Sequence, residues 1–186
     1  MHVIIEMLWR RRGQDLKKNR MIMFDLYFTK LIQSSCAAFS EAEDKLHFDW
    51  GKNLASYVTG KTKGKYLKLE LGRDVDMVYA PMMWGADHWL GMCINLLNAN
   101  VTILDSYIPH NRTIEQVDAH MAPLLSSLPY ISKQYVGHTV HHAKEGQLYY
   151  SCSRVDGIYN NGRTVTAGLV QLSSLRCMLM VMARRR

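Results

Sequence analysis

His88 and Asp105 have the types and the spacing of an acid–base pair. An imidazole that moves a proton near neutral pH needs a carboxylate to fix its tautomer and to offset its charge once it is protonated. His88 opens a nearly continuous apolar run, and Asp105 lies near the end of the next one. If those runs are antiparallel neighbours, both residues fall at the same end of a sheet. Such a pair prepares a nucleophile for attack on a carbonyl carbon.

The stretch that must position them is Asp74–Tyr107, which reads as three short strands. Val75–Pro81 alternates apolar and polar residues, Gly85–Ala86–Asp87 is a turn signal, and His88–Leu97 is almost wholly apolar. Asn98–Ala99–Asn100 is a second turn and Val101–Tyr107 a third run, so a hairpin joins the last two. Upstream, apolar residues at 3, 4, 7 and 8 predict a helix over 2–12 that starts abruptly, as though inside a longer domain. Phe24, Tyr27, Phe28 and Leu31 predict a core helix over 20–34. Ser40 and Glu43 have the form of a capping box, and Asn53–Val58 is a third helical piece. Downstream, Asn111–Ser127 predicts a helix capped by Thr113, kinked by Pro123, with a stripe of Ile114, Val117, Met121, Leu124 and Leu125. Leu148–Val155 reads as a strand.

The pattern VYAPM…HWLGMCINL…VTILDSY resembles the ubiquitin-like-protein-specific proteases, papain-like cysteine peptidases that process SUMO and its relatives. HVIIEMLWRRR and SRVDGIYNNGRT add to the likeness, which extends to Thr164 and is nearest to the plant branch found in transposon-derived genes. The resemblance implies an α+β, papain-like domain with N-terminal helices and a small mixed or antiparallel sheet. It implies His88 as general base, Asp105 as its orienter, and Trp89 in the channel that holds the substrate's glycine tail. The partner it implies is a ubiquitin-like modifier or its conjugates, cleaved after a Gly-Gly tail, with no metal or organic cofactor.

The same resemblance calls for a Gln that donates to the oxyanion, then Asp-Cys-Gly at the start of a helix. The chain instead continues Val165–Thr166–Ala167–Gly168, so Ala167 stands near where the nucleophile belongs. Asn160 and Asn161 are partial substitutes for the Gln. Codons for Thr-Val-Thr-Ala-Gly, read from the third base of the first, can spell Gly-Asp-Cys-Gly. The expectation is therefore a family domain over 1–164 and a frame-shifted tail over 165–186 in place of the catalytic helix. No other cysteine replaces the nucleophile. Cys93 is five residues beyond His88, Cys152 sits within a strand, and Cys177 falls in the tail.

Composition bounds the alternatives. Hydrophobic residues at 48% and charged residues at 21% of 186 suit one globular domain with a sizeable core. The net charge of +7 gathers at Arg10–Arg12, Lys61–Lys68 and Arg184–Arg186, which suits an acidic partner or nucleic acid without sequence preference. Aromatic residues do not interleave with these clusters. Gly60–Lys68 lacks the spacing of a phosphate loop. Cys36, Cys93, Cys152 and Cys177 form no CxxC pair, and His138, His141 and His142 have no further ligand near them, so no zinc site is expected. The absence of a disulfide framework, a signal-peptide pattern or a spanning apolar run points to an intracellular protein, nuclear or cytoplasmic, with no membrane partner. Two further readings remain: a non-catalytic modifier-binding module, and a basic, nucleic-acid-associated fragment of a transposon-derived protein.

Overall fold

The computed structural model describes residues 2–61, 68–85, 88–105, 113–136, 143–144, 147–148 and 150–155. Among the described residues, four α-helices accompany a mixed sheet of five strands, an α+β architecture. The helices are α1 (His2–Lys18), α2 (Leu26–Glu41), α3 (Gly51–Val58) and α4 (Ile114–Ile131). The strands are β1 (Met21–Met23), β2 (Met77–Trp84), β3 (His88–Asn95), β4 (Asn100–Leu104), the short pair β5 (Ala143–Lys144) and β6 (Gln147–Leu148), and β7 (Ser151–Arg154). The main sheet runs β1-β2-β3-β4-β7. Its inner pairs are antiparallel and its two outer pairs, β1 with β2 and β4 with β7, are parallel.

Helix α1 outruns the expected 2–12. Arginine is a good helix former, and Arg10 reaches Glu6 at 2.8 Å one turn back, so the basic run continues the helix. Among its described side chains, Ile5, Trp9 and Leu16 are buried. The expected helix over 20–34 divides in two. Met21–Met23 is a strand in register with Met77–Tyr79, because unbranched methionines fit either period and the β2 edge is there to pair with. Asp25 then caps α2, accepting from the Tyr27 amide at 3.1 Å, and Tyr57 donates to the same carboxylate at 2.7 Å. Phe24 lies before the cap yet still meets Phe28, with ring centroids 4.8 Å apart, whereas Tyr27 faces solvent. Ser40 caps nothing. It lies in the last turn of α2 and donates back to the Cys36 carbonyl at 2.8 Å.

Pro81 sits inside β2, where the expected strand ended. It is tolerated because β1 stops opposite Tyr79, so no neighbouring strand needs its missing N–H. Its carbonyl accepts from Thr29 Oγ1 at 2.9 Å. Strand β3 ends at Asn95, whose side chain accepts from the amides of Leu97 and Asn98 and so makes the turn into β4. Helix α4 opens with a reciprocal capping box of Thr113 and Gln116 and runs through Pro123 and Pro129 to Ile131. Ile114 is 75% exposed and does not belong to its apolar stripe. The strand expected over 148–155 is also two pieces. Gln147–Leu148 pairs with Ala143–Lys144, while Ser151–Arg154 joins the main sheet.

Candidate functional site

His88 is the first residue of β3, and Asp105 directly follows β4. Gly91 pairs with Leu104, so the register carried one step further sets Asp105 opposite Leu90. His88 is two residues before Leu90. The pleat therefore turns it to the same face as Asp105, one diagonal step away. The imidazole Nε2 lies 3.1 Å from Asp105 Oδ1. A carboxylate can only accept, so Nε2 carries the hydrogen, and in the neutral ring Nδ1 is the basic nitrogen. His88 is 2% exposed and Asp105 is also buried, which strengthens the contact and makes any loss of it costly.

Asp105 has a second partner that the sequence reading did not assign. Arg154, the last residue of β7, donates from Nη2 to Oδ2. Parallel pairing sets Arg154 beside Ile103, two residues before Asp105, so both project from one face of the sheet. A buried carboxylate with a permanent cation on one oxygen and a ring N–H on the other is compensated on both sides. The only sequence signal was a lone basic residue closing the small polar run Ser151–Cys152–Ser153.

On the β2 side, Trp84 lies directly opposite His88 in the strand register, with ring centroids 5.7 Å apart. The other contact of Trp84 is with His120 of α4, stacked at 4.9 Å with the planes 9° apart. Helix α4 thus covers the face that carries the pair. Trp89 follows His88 on β3, and the pleat turns it to the opposite face. It is 8% exposed and lies outside the main core cluster.

The cysteines are dispersed. Cys36 lies on α2, Cys93 is buried in β3, and Cys152 stands opposite Val101 on β7. Burial first, and the charge of Asp118 second, push the Cys152 thiol up to about 11, the reverse of an activated nucleophile. Asn160, Asn161, Ala167, Cys177 and the histidines at 138, 141 and 142 lie outside the described residues. Among the described residues no group of three or more potential ligands could hold a metal ion, and no helix is long and apolar enough to cross a membrane.

No curated protein and no solved structure matches the chain. The model of the Ulp1 protease family, C-terminal catalytic domain, matches residues 1–185, the strands that bring His88 to Asp105 among them, and the chain belongs to that family.

Proposed function

We propose that this chain is a ubiquitin-like protease domain that keeps the imidazole–carboxylate half of a cysteine peptidase site, lacks the nucleophile, and binds modifier without cleaving it. The family acts on ubiquitin-like modifiers. In the ancestral reaction a thiolate attacks the carbonyl carbon of the last glycine of a Gly-Gly tail. The imidazole returns the proton to the leaving amine, and water then releases the acyl group. His88 is the base, with Asp105 holding its tautomer, and Trp89 lines the channel for the glycine tail. Asn160 or Asn161 is the partial substitute for the oxyanion donor, and Ala167 stands near the empty place of the cysteine.

The observation that carries this reading is the buried contact of His88 Nε2 with Asp105 Oδ1 at 3.1 Å. The unreactive setting of Cys152 supports the absence of turnover. The family match continues to residue 185, so the reading of 165–186 as a frame-shifted tail, from a mutation or a gene-model error, rests on the local residues Val165–Gly168, and the plant transposon-derived origin rests on the resemblance up to Thr164. Sequencing the transcript across Thr164–Ala167 tests the frameshift. An intact frame with no Gly-Asp-Cys-Gly in the overlapping one removes the idea.

Binding is tested by titrating the chain with a panel of ubiquitin-like modifiers ending in Gly-Gly. At least one should bind, and Trp89→Ala should weaken it tenfold or more. Modifiers carrying a C-terminal electrophile should form no covalent adduct. Failure of every modifier to bind ends the binding reading, and an adduct on Cys152 ends the claim of inactivity. A nucleic-acid role ranks lower, because Arg10 and Arg12 of the α1 cluster already face Glu6 and Asp15.

A further inference from the structure

We infer that Arg154 is a positioning residue for the His88–Asp105 pair: from β7 it holds Asp105 Oδ2, and thereby keeps Oδ1 on the His88 ring in a chain that has no thiolate to balance an imidazolium. The inference deepens the proposed function and rests on it for the role of His88.

Three observations carry it. Both oxygens of Asp105 are engaged, one by His88 and one by Arg154, and its side chain is wholly buried. The two partners come from strands on either side of β4, so the carboxylate is held between two opposed donors and not by a single bond about which it can turn. The donors also differ in kind. The ring of His88 can lose its charge, but the guanidinium cannot. An ionised, buried carboxylate facing only a neutral imidazole would be undercompensated. It would then take up a proton, draw one onto His88, or rotate toward water. Arg154 removes the need for all three, and so Asp105 stays an acceptor and His88 Nε2 stays its donor. The register accounts for the reach. Arg154 lies beside Ile103, the Val155 amide donates to the Ile103 carbonyl at 3.1 Å, and the guanidinium extends along β4 to the carboxylate two residues ahead.

The test reads the His88 ring in the full chain by proton–nitrogen NMR, with signals assigned by their loss in His88→Gln. In the wild type, Nε2 should carry a downfield proton protected from exchange with water. Arg154→Met keeps an unbranched apolar stem and removes the guanidinium with its charge. It should abolish that protected proton and shift the ring nitrogens toward a mixture of tautomers, while backbone signals of β2 and β3 stay in place. Arg154→Lys should restore a protected Nε2 proton in part. A wild-type ring spectrum in Arg154→Met overturns the inference. Should Arg154→Met fail to fold, Asp105→Asn in the same chain removes the opposing charge. Folding of the double variant then supports the inference, and a double variant as unfolded as the single one overturns it. All spectra are taken without modifier, so a chain that binds none loses the proposed function and leaves this result to stand or fall by itself.

Discussion

Cys152 is the residue that most resembles a spare nucleophile, since it shares β7 with Arg154, and its surroundings disqualify it. Burial and Asp118 hold its proton from an ordinary 9.0 up to about 11. The folded chain therefore keeps the thiol proton where the unfolded chain gives it up. The contribution of this group to stability is whole below pH 9 and is lost as pH rises toward 11. At pH 8, alkylation of Cys152 followed by peptide mass mapping should be slow in the folded chain and at least tenfold faster in urea, with the gap closing above pH 11. Equal rates at pH 8 would contradict the setting described. His88 and Asp105 were legible because a histidine at the start of one strand and an aspartate at the end of the next imply their own meeting. Arg154 was not legible. It is 49 residues from Asp105, and only the parallel register of β7 tells which carboxylate it reaches.

At the scale of elements, the segment before β2 is clipped to the end of α4 through Gly72. Gly72 has a φ of +77°, and a Cβ added there would come within 2.0 Å of Val136 Cγ1. Val136 ends a five-residue π-helical turn, Ser132–Val136, that follows α4. Gly72→Ala should cost about 2–4 kcal/mol from left-handed backbone and overpacking together. Val136→Ala in the same chain should recover the packing share and leave the backbone share, as read by urea unfolding of the wild type, the two single variants and the double variant. The sequence announced the helices that had a cap or a clean stripe. The Thr113 cap of α4 was visible, and so was α3 within two residues of its true start. What misled was a residue able to serve two periods. Met21–Met23 continues a helical pattern on paper, but the free edge of β2 lies far along the chain, beyond any local window. Ser40 and Glu43 matched a capping box by spacing alone, at the end of a helix and not at its start.

For the whole molecule, the arrangement of the sheet sets an order of assembly. β2, β3 and β4 are consecutive and antiparallel, joined by short connections, whereas β7 must cross back over α4 to pair with β4 in parallel. Contacts that close short loops form first, and the crossover follows. Ile94→Ala, in the middle of β3, should therefore slow folding, with a φ-value above about 0.5. Tyr150→Phe, which removes the 2.9 Å contact with Ser132, should mainly speed unfolding. Stopped-flow refolding in urea distinguishes the two, and a high φ-value at Tyr150 would reverse the order. The three central strands were legible because each is a local run bounded by turn residues, and the α+β class was legible through the family resemblance those runs carry. The sequence did not foretell that both outer strands would be parallel, a matter of chain crossings and not of composition.

That history has a consequence for the buried acid. On the predicted order its imidazole neighbour arrives with the early hairpin and its guanidinium neighbour with the later docking of β7. A chain with β7 undocked would thus offer that carboxylate to the histidine alone, and the assembled sheet does not. The clasp closes only when β7 docks, which makes the state of one aspartate a built-in gauge of that step.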